Sequence, residues 1–280
     1  MAVTIRQLID DGATVLSTVG IPSPRREALR IWAELSDGGI GTGVLDADRS
    51  AEPRLEAFHH AIARRAMGEP LAHVVGRTGF RHLDLRSDRR ALIPRPETEG
   101  LAELILGVVR TGWVADIGTG SGCLALSLAL EGAFSQVVAT DISATALTLA
   151  RENGDHCGGY VSFVRGDLCS ALRRGSYDAL VSNPPYLTTE EYTALDPSVR
   201  DWEPPEALVG GSDGLGLITR LLAEGRDVVR AGGWVAMEVD CVRAAECARR
   251  AGALGWSDVA IHADLFGRER YLLARRSDTP

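Results

Sequence analysis

The chain has 280 residues, 45% of them hydrophobic and 24% charged, a size and balance that allow one large domain or two smaller ones with ample core. Its formal net charge of −8 argues against holding duplex DNA mainly through phosphates, and no apolar run approaches the roughly 20 residues of a membrane helix. Five cysteines, with no C-x-x-C pair and no metal-ligand spacing to the six histidines, read as free thiols of a reducing cytosol, and no metal is expected.

The start, Met1 to Gln7, has no long apolar core of a signal peptide, so a cytoplasmic protein is expected. Residues 4 to about 35 read as two helices. The first carries Ile5, Leu8, Ile9, Ala13 and Leu16 on one face, and the second opens with Ser23 as N-cap and Pro24 at its first position. Gly38 to Gly43 reads as a flexible connection, because no strand precedes it as a nucleotide-binding glycine loop requires. A further helix is expected over 53–66, completing a small helical domain. The pairs Arg25-Arg26, Arg64-Arg65 and Arg89-Arg90 read as solvated surface. Gly68 to Gly76 breaks the helical pattern. Phe80, His82, Asp84 and Arg86 then alternate with Arg81, Leu83 and Leu85, which suits a short hairpin between two domains. Leu92 to Glu99 is an extended piece entering a helix, with Pro96, Glu97 and Glu99 suited to its first turn.

From 113 onward strands and helices alternate. Strands are expected at 113–117, 136–141, 160–164, 178–182, 233–239, 258–263 and 270–274, with helices clearest at 122–131, 143–153 and 214–230. The fold class is therefore α/β, a largely parallel sheet with helices on both faces, whose ligands bind at the carboxyl ends of strands.

Three motifs fall at such ends. Asp116-Ile117-Gly118-Thr119-Gly120-Ser121-Gly122 closes the first strand and opens a helix, and its glycines let backbone approach a ligand. The dinucleotide fingerprint would need glycine where Cys123 stands, so S-adenosylmethionine, which has no pyrophosphate, fits better than NAD. Asp141 ends the second strand and can accept the hydroxyls of a ribose. Gly166-Asp167-Leu168 follows the third, where the Asp167 carboxylate can take an adenine amino hydrogen and Leu168 can cover the ring. Singly, each acid suits a surface cap; three successive strand ends point to a nucleoside-containing cofactor. Asn183-Pro184-Pro185-Tyr186 ends the fourth strand. Each proline holds the residue before it extended, and neither has an N–H. The Asn183 oxygen and a proline carbonyl can accept the two hydrogens of a flat NH2 group while Tyr186 lies on its face.

With these residues in hand, the chain resembles the protein-(glutamine-N5) methyltransferases that modify peptide chain release factors. Gly68 to Ala72, Leu92 to Glu99, Asp116 to Gly122, Asp141 to Ser143, Asn183 to Tyr186 and Glu203 to Leu208 carry the resemblance over nearly the whole length. The tetrapeptide alone is shared with adenine-N6 and cytosine-N4 methyltransferases; combined with Ile93 to Glu99 it is far more specific.

The resemblance implies a helical recognition domain (1–76), a hairpin linker (77–95) and a seven-stranded Rossmann-like class I methyltransferase domain (96–280). It also implies the glutamine of a Gly-Gly-Gln loop as substrate; the acidic charge and the lack of a membrane-length apolar run add the expectation of no nucleic acid and no membrane as partner. Gly118, Thr119, Gly120, Ser121, Gly122, Asp141, Leu168 and Asn183 carry over as cofactor contacts, to which Asp167 is added from its place after the third strand, and Asn183, Pro184, Pro185 and Tyr186 carry over as the glutamine clamp. Where the family usually reads Glu-x-Gly after the fifth strand, this chain has Glu238-Val239-Asp240, and its 38–43 segment is also unlike the family. Two other readings use the same motifs: an amino methyltransferase acting on a flipped base, and a cofactor-binding interaction protein without catalysis.

Overall fold

Helix α1 (Ile5–Thr18) begins where the sequence supplies a cap. The Gln7 N–H donates to the Thr4 hydroxyl (3.3 Å) and the Thr4 N–H donates to the Gln7 side chain (3.0 Å), a reciprocal capping box. Pro24 opens α2 (Pro24–Leu35), but Ser23 makes no side-chain cap bond; the proline's fixed φ and missing N–H supply the start instead. The computed structural model describes residues 3–36 and 47–277, so the 38–43 segment lies outside them. Helix α3 (Leu55–Ala66) follows. The 68–76 stretch, expected to be non-helical, holds a single helical turn, α4 (Leu71–Val75), entered after Pro70 and stopped by Gly76 at φ 75°.

These helices form the first of two units, residues 1–77 together with Asp196–Trp202. Its core joins Leu8, Ile9 and Leu16 of α1, Ile31 and Trp32 of α2, and Phe58 and Ile62 of α3. Arg65 and Glu27 tie α3 to α2 by a hydrogen-bonded ion pair (2.6 Å).

The second unit spans 78–195 and 203–280. A two-stranded hairpin, β1 (Arg77–Phe80) and β2 (Leu83–Arg86), leads to α5 (Pro96–Val108). The turn at Arg81-His82 resets the alternation expected here, so Phe80, Leu83 and Leu85 are the buried residues. There follow β3 (Thr111–Ile117), α6 (Cys123–Glu131), β4 (Ala133–Asp141), α7 (Ala144–Cys157), β5 (Ser162–Arg165) and β6 (Tyr177–Ser182). Next come the one-turn helices α8 (Thr189–Thr193) and α9 (Pro197–Arg200), the latter in the first unit. The chain finishes with α10 (Gly216–Val228), β7 (Val229–Glu238), α11 (Ala244–Ala253), β8 (Trp256–Ala263) and β9 (Glu269–Arg276).

The seven strands β3–β9 form one sheet in the order β5-β4-β3-β6-β7-β9-β8, with β9 antiparallel to both neighbours. Successive residues of β6 serve opposite faces: Leu180 packs with α10 and α11, whereas Ala179 and Val181 pack with α5 and α6. Phe80, Leu83 and Leu85 join this second cluster, so the hairpin is part of the second unit's core. No helix among the described residues is long and apolar enough to cross a membrane.

Candidate active site

Strand register brings the motifs together. Ile117 of β3 pairs with Thr140 of β4 and with Ser182 of β6, and Ser182 pairs with Met237 of β7. The glycine turn, Asp141, Asn183 and Glu238 therefore leave the same carboxyl edge of adjacent strands, around the β3/β6 switch point.

Gly118, Gly120 and Gly122 have φ of 69°, 55° and 85°, a left-handed run that side chains rarely adopt. A Cβ on Gly118 would meet no protein atom within 4 Å, so the turn is open there. Thr119 faces inward: its hydroxyl donates to Asp116 Oδ2 (2.6 Å), which also accepts from the Ala125 N–H (3.2 Å). Asp116 is 1% exposed, burial pushes its carboxyl up to about 7, and its Oδ1 has no hydrogen-bond partner among the described residues. Ser121 is buried too, and its carbonyl accepts from Asn153 Nδ2 (2.9 Å). Asn153, on α7, also receives the Arg86 N–H (2.7 Å), so it braces the turn from the hairpin side. A polar residue inside a helix carries no motif, and sequence reasoning passed over Asn153.

Asp141 accepts from the Gly120 N–H at Oδ2 (2.9 Å) and from the Ser143 N–H at Oδ1 (2.8 Å). A carboxylate has about four acceptor sites, so lone pairs remain for further hydroxyls. Burial raises its carboxyl above the ordinary range, against those backbone donors. Beside it Ile142 is 59% exposed, an apolar surface that sequence reasoning did not single out. Asp167 is paired with Arg220 (3.0 Å), both about half exposed, while Leu168 adopts φ 48° and accepts from the Thr140 hydroxyl at its carbonyl (3.2 Å). The open glycine turn, the orphaned Asp116 oxygen and the spare acceptors of Asp141 fit a ribose-bearing ligand of the S-adenosylmethionine type.

Asn183 is held by residues far away in sequence. Its Nδ2 donates to Thr98 Oγ1 (3.0 Å), and Thr98 Oγ1 donates to Glu238 Oε2 (2.7 Å). No described residue bonds Asn183 Oδ1 or the Pro184 carbonyl. Behind the clamp, the Leu187 N–H donates to the Leu208 carbonyl (3.0 Å) and the Gly210 N–H to the Leu187 carbonyl (2.8 Å). Tyr186 packs against the core, where burial first and then the Glu238 charge push its phenol up to about 12, so the ring stays neutral.

Glu203, 3% exposed, accepts from the Ile93 N–H (2.9 Å) and from Arg95 (2.6 Å). These bonds join the Ile93–Glu99 run to the Glu203–Leu208 run, and Thr98 of the first run meets Asn183 of the clamp. At the departure after β7, Asp240 pairs with Arg243, which also reaches Glu191 (2.8 Å) and the Asp213 carbonyl (3.0 Å). No group of three or more His, Cys, Asp or Glu among the described residues could hold a metal ion.

Residues 7–76 match the family described as PrmC N-terminal domain, and residues 98–196 match that described as Methyltransferase small domain. The release factor glutamine methyltransferase of Nitratidesulfovibrio vulgaris is 43% identical over 227 residues, covering 79% of this chain and 77% of that protein. The protein of the same name from Deinococcus radiodurans is 38% identical over 277 residues, covering 98% and 99%. A solved methyltransferase from Pyrococcus furiosus superposes with a TM-score of 0.54 at 23% identity, covering 70% of this chain and 89% of that one, a likeness of fold.

Proposed function

The chain belongs to the release factor glutamine methyltransferase family, and from that premise we propose that it methylates a release-factor glutamine. The methyl donor is S-adenosylmethionine, the acceptor is the side-chain nitrogen of the glutamine in a Gly-Gly-Gln loop, and the reaction is cytoplasmic. The observation that carries this reading is Asn183. Its amide nitrogen is occupied by Thr98, which leaves Oδ1 as an acceptor at the strand edge that also holds the glycine turn and Asp141.

An amide nitrogen is a poor nucleophile because its lone pair is delocalised into the carbonyl. Bound S-adenosylmethionine supplies a methyl group already activated by its sulfonium, so the protein's task is alignment. Asn183 Oδ1 and the Pro184 carbonyl accept the two hydrogens of the substrate NH2, orienting the nitrogen and favouring positive charge as it grows there. The Tyr186 ring lies on the flat amide, and the proton passes to water after transfer. Asp141 takes ribose hydroxyls, Ile142 and Leu168 offer apolar surface to the base, and the helices of the first unit recognise the release factor.

The test is mass spectrometry of a purified release factor incubated with enzyme and S-adenosylmethionine, expecting one added methyl on that glutamine. Asn183→Ala should lower kcat by about 10²–10³, the scale of a lost transition-state hydrogen bond, with a smaller loss of cofactor affinity. Tyr186→Phe should be much milder than Tyr186→Ala. Full activity in Asn183→Ala, or methylation of free oligonucleotide in place of the protein, overturns the reading.

A further inference from the structure

We propose that Thr98 and Glu238 are positioning residues for methyl transfer, forming a hydrogen-bond relay that decides which edge of the Asn183 carboxamide faces the substrate. The inference rests on the reading of Asn183 as the acceptor for the substrate NH2.

The two ends of a carboxamide have nearly the same shape, so packing alone cannot choose between them. The choice matters here because a flipped Asn183 would present NH2 to NH2. Thr98 and Glu238 are 3% and 2% exposed, and their bond (2.7 Å) is sealed from water. A threonine hydroxyl has one proton, and a charged carboxylate only accepts. That proton therefore goes to Glu238, and the Thr98 oxygen is left to receive a hydrogen from Asn183 (3.0 Å). Only Nδ2 can give one, so Oδ1 turns outward. Thr98 comes from the first turn of α5, Asn183 from the end of β6 and Glu238 from the end of β7, which makes the relay a product of three elements meeting.

The relay predicts a dependence on the charge of Glu238. The Thr98 hydroxyl, Arg270 and Arg95 favour its ionised form and Glu97 opposes it, while Tyr186, Tyr271 and Cys123 also face it. Burial outweighs these partners and holds the carboxyl above its ordinary range. A protonated Glu238 can donate to Thr98, which frees the hydroxyl proton for Asn183 Oδ1 and removes the preference.

The experiment is steady-state methyl transfer from S-adenosylmethionine to purified release factor, with cofactor affinity measured by calorimetry. Thr98→Val, close to isosteric, should lower kcat about tenfold or more, on the scale of one lost orienting hydrogen bond, with cofactor Kd within about threefold. Thr98→Ser should recover most of the rate. Glu238→Gln, which can donate to Thr98 at every pH, should lower kcat and abolish the acid limb that the wild type shows as Glu238 takes up its proton. A folded Thr98→Val or Glu238→Gln enzyme with wild-type kcat, while Asn183→Ala is impaired, overturns the relay and leaves the glutamine clamp standing. Wild-type rates in all three sink both.

Discussion

Gly210→Ala should disable the clamp without replacing any residue that meets substrate. Gly210 is buried and its φ is not left-handed, so space rather than backbone conformation demands glycine there. A Cβ at this position would lie 2.9 Å from both the Pro185 carbonyl carbon and Tyr186 Cα, and closer still to the Pro185 carbonyl oxygen. Carbon atoms in contact sit about 3.5–4.0 Å apart, so at least ~0.6 Å of relief is needed. All three obstructing atoms are backbone, and no side chain can swing aside. Either the 208–210 segment retreats, weakening its two hydrogen bonds with Leu187, or Pro185 and Tyr186 are pushed. Both routes cost stability on the scale of overpacking, about 1–3 kcal/mol. A displacement near 1 Å of positioned groups costs up to about 10² in rate, so kcat should fall about 10- to 100-fold. Thermal melts, calorimetry with S-adenosylmethionine and kcat on purified release factor would be compared with Gly252→Ala. That glycine, in α11, has nothing within 4 Å of its Cβ, so its variant should keep kcat and gain up to about 1 kcal/mol. Wild-type kcat and melting temperature in Gly210→Ala would refute the bracing argument.

Asp141→Ala should weaken S-adenosylmethionine binding by about 1–3 kcal/mol, the range for removing one partner of a buried polar contact; unchanged affinity in calorimetry on a folded variant removes Asp141 from the site. Asp116 sets a pH dependence of stability. Its carboxyl is raised by burial from 3.8 to about 7, so between those values the folded state binds more protons than the unfolded one, and stability is present below 3.8 and lost as pH rises to about 7. Asp116→Asn should therefore gain on the wild type by about 1–4 kcal/mol between pH 5 and pH 7.5, each tenfold difference in proton affinity being worth ~1.4 kcal/mol; a pH-independent difference in melting temperature contradicts the burial of an ionisable Asp116. A fragment starting at residue 77 should bind S-adenosylmethionine yet methylate intact release factor poorly. One starting near 88 should be less stable, because it removes Phe80, Leu83 and Leu85 from the core. Equal release-factor methylation by the 77 fragment and the full chain would deny the helical unit its recognition role.

Local chemistry was enough for much of this protein. Apolar runs ended by Gly118, Asp141, Gly166 and Asn183 located four strand ends, because alternation and chain breakers act within a few residues. Pro24 and Pro96 marked helix starts for the same reason. The fold class and the identity of Asn183-Pro184-Pro185-Tyr186 as a candidate clamp were legible at that level. What points each side chain was not. Thr98 and Glu238 lie 85 and 55 positions from Asn183, and neither carries a signal of what it touches. The inward turn of Thr119, the engagement of Asp167 by Arg220 and the brace from Asn153 are likewise contacts between elements. Ser23 and the 68–76 stretch show local signals overruled nearby, by a proline that starts a helix without a side-chain cap and by room for a single helical turn before Gly76. Residue types and spacing determined which groups the strand edge offers. Only strand order and register determined that a threonine and a buried glutamate would hold Asn183 by its nitrogen, because a hydroxyl's single proton can be directed only by the neighbours that folding brings to it.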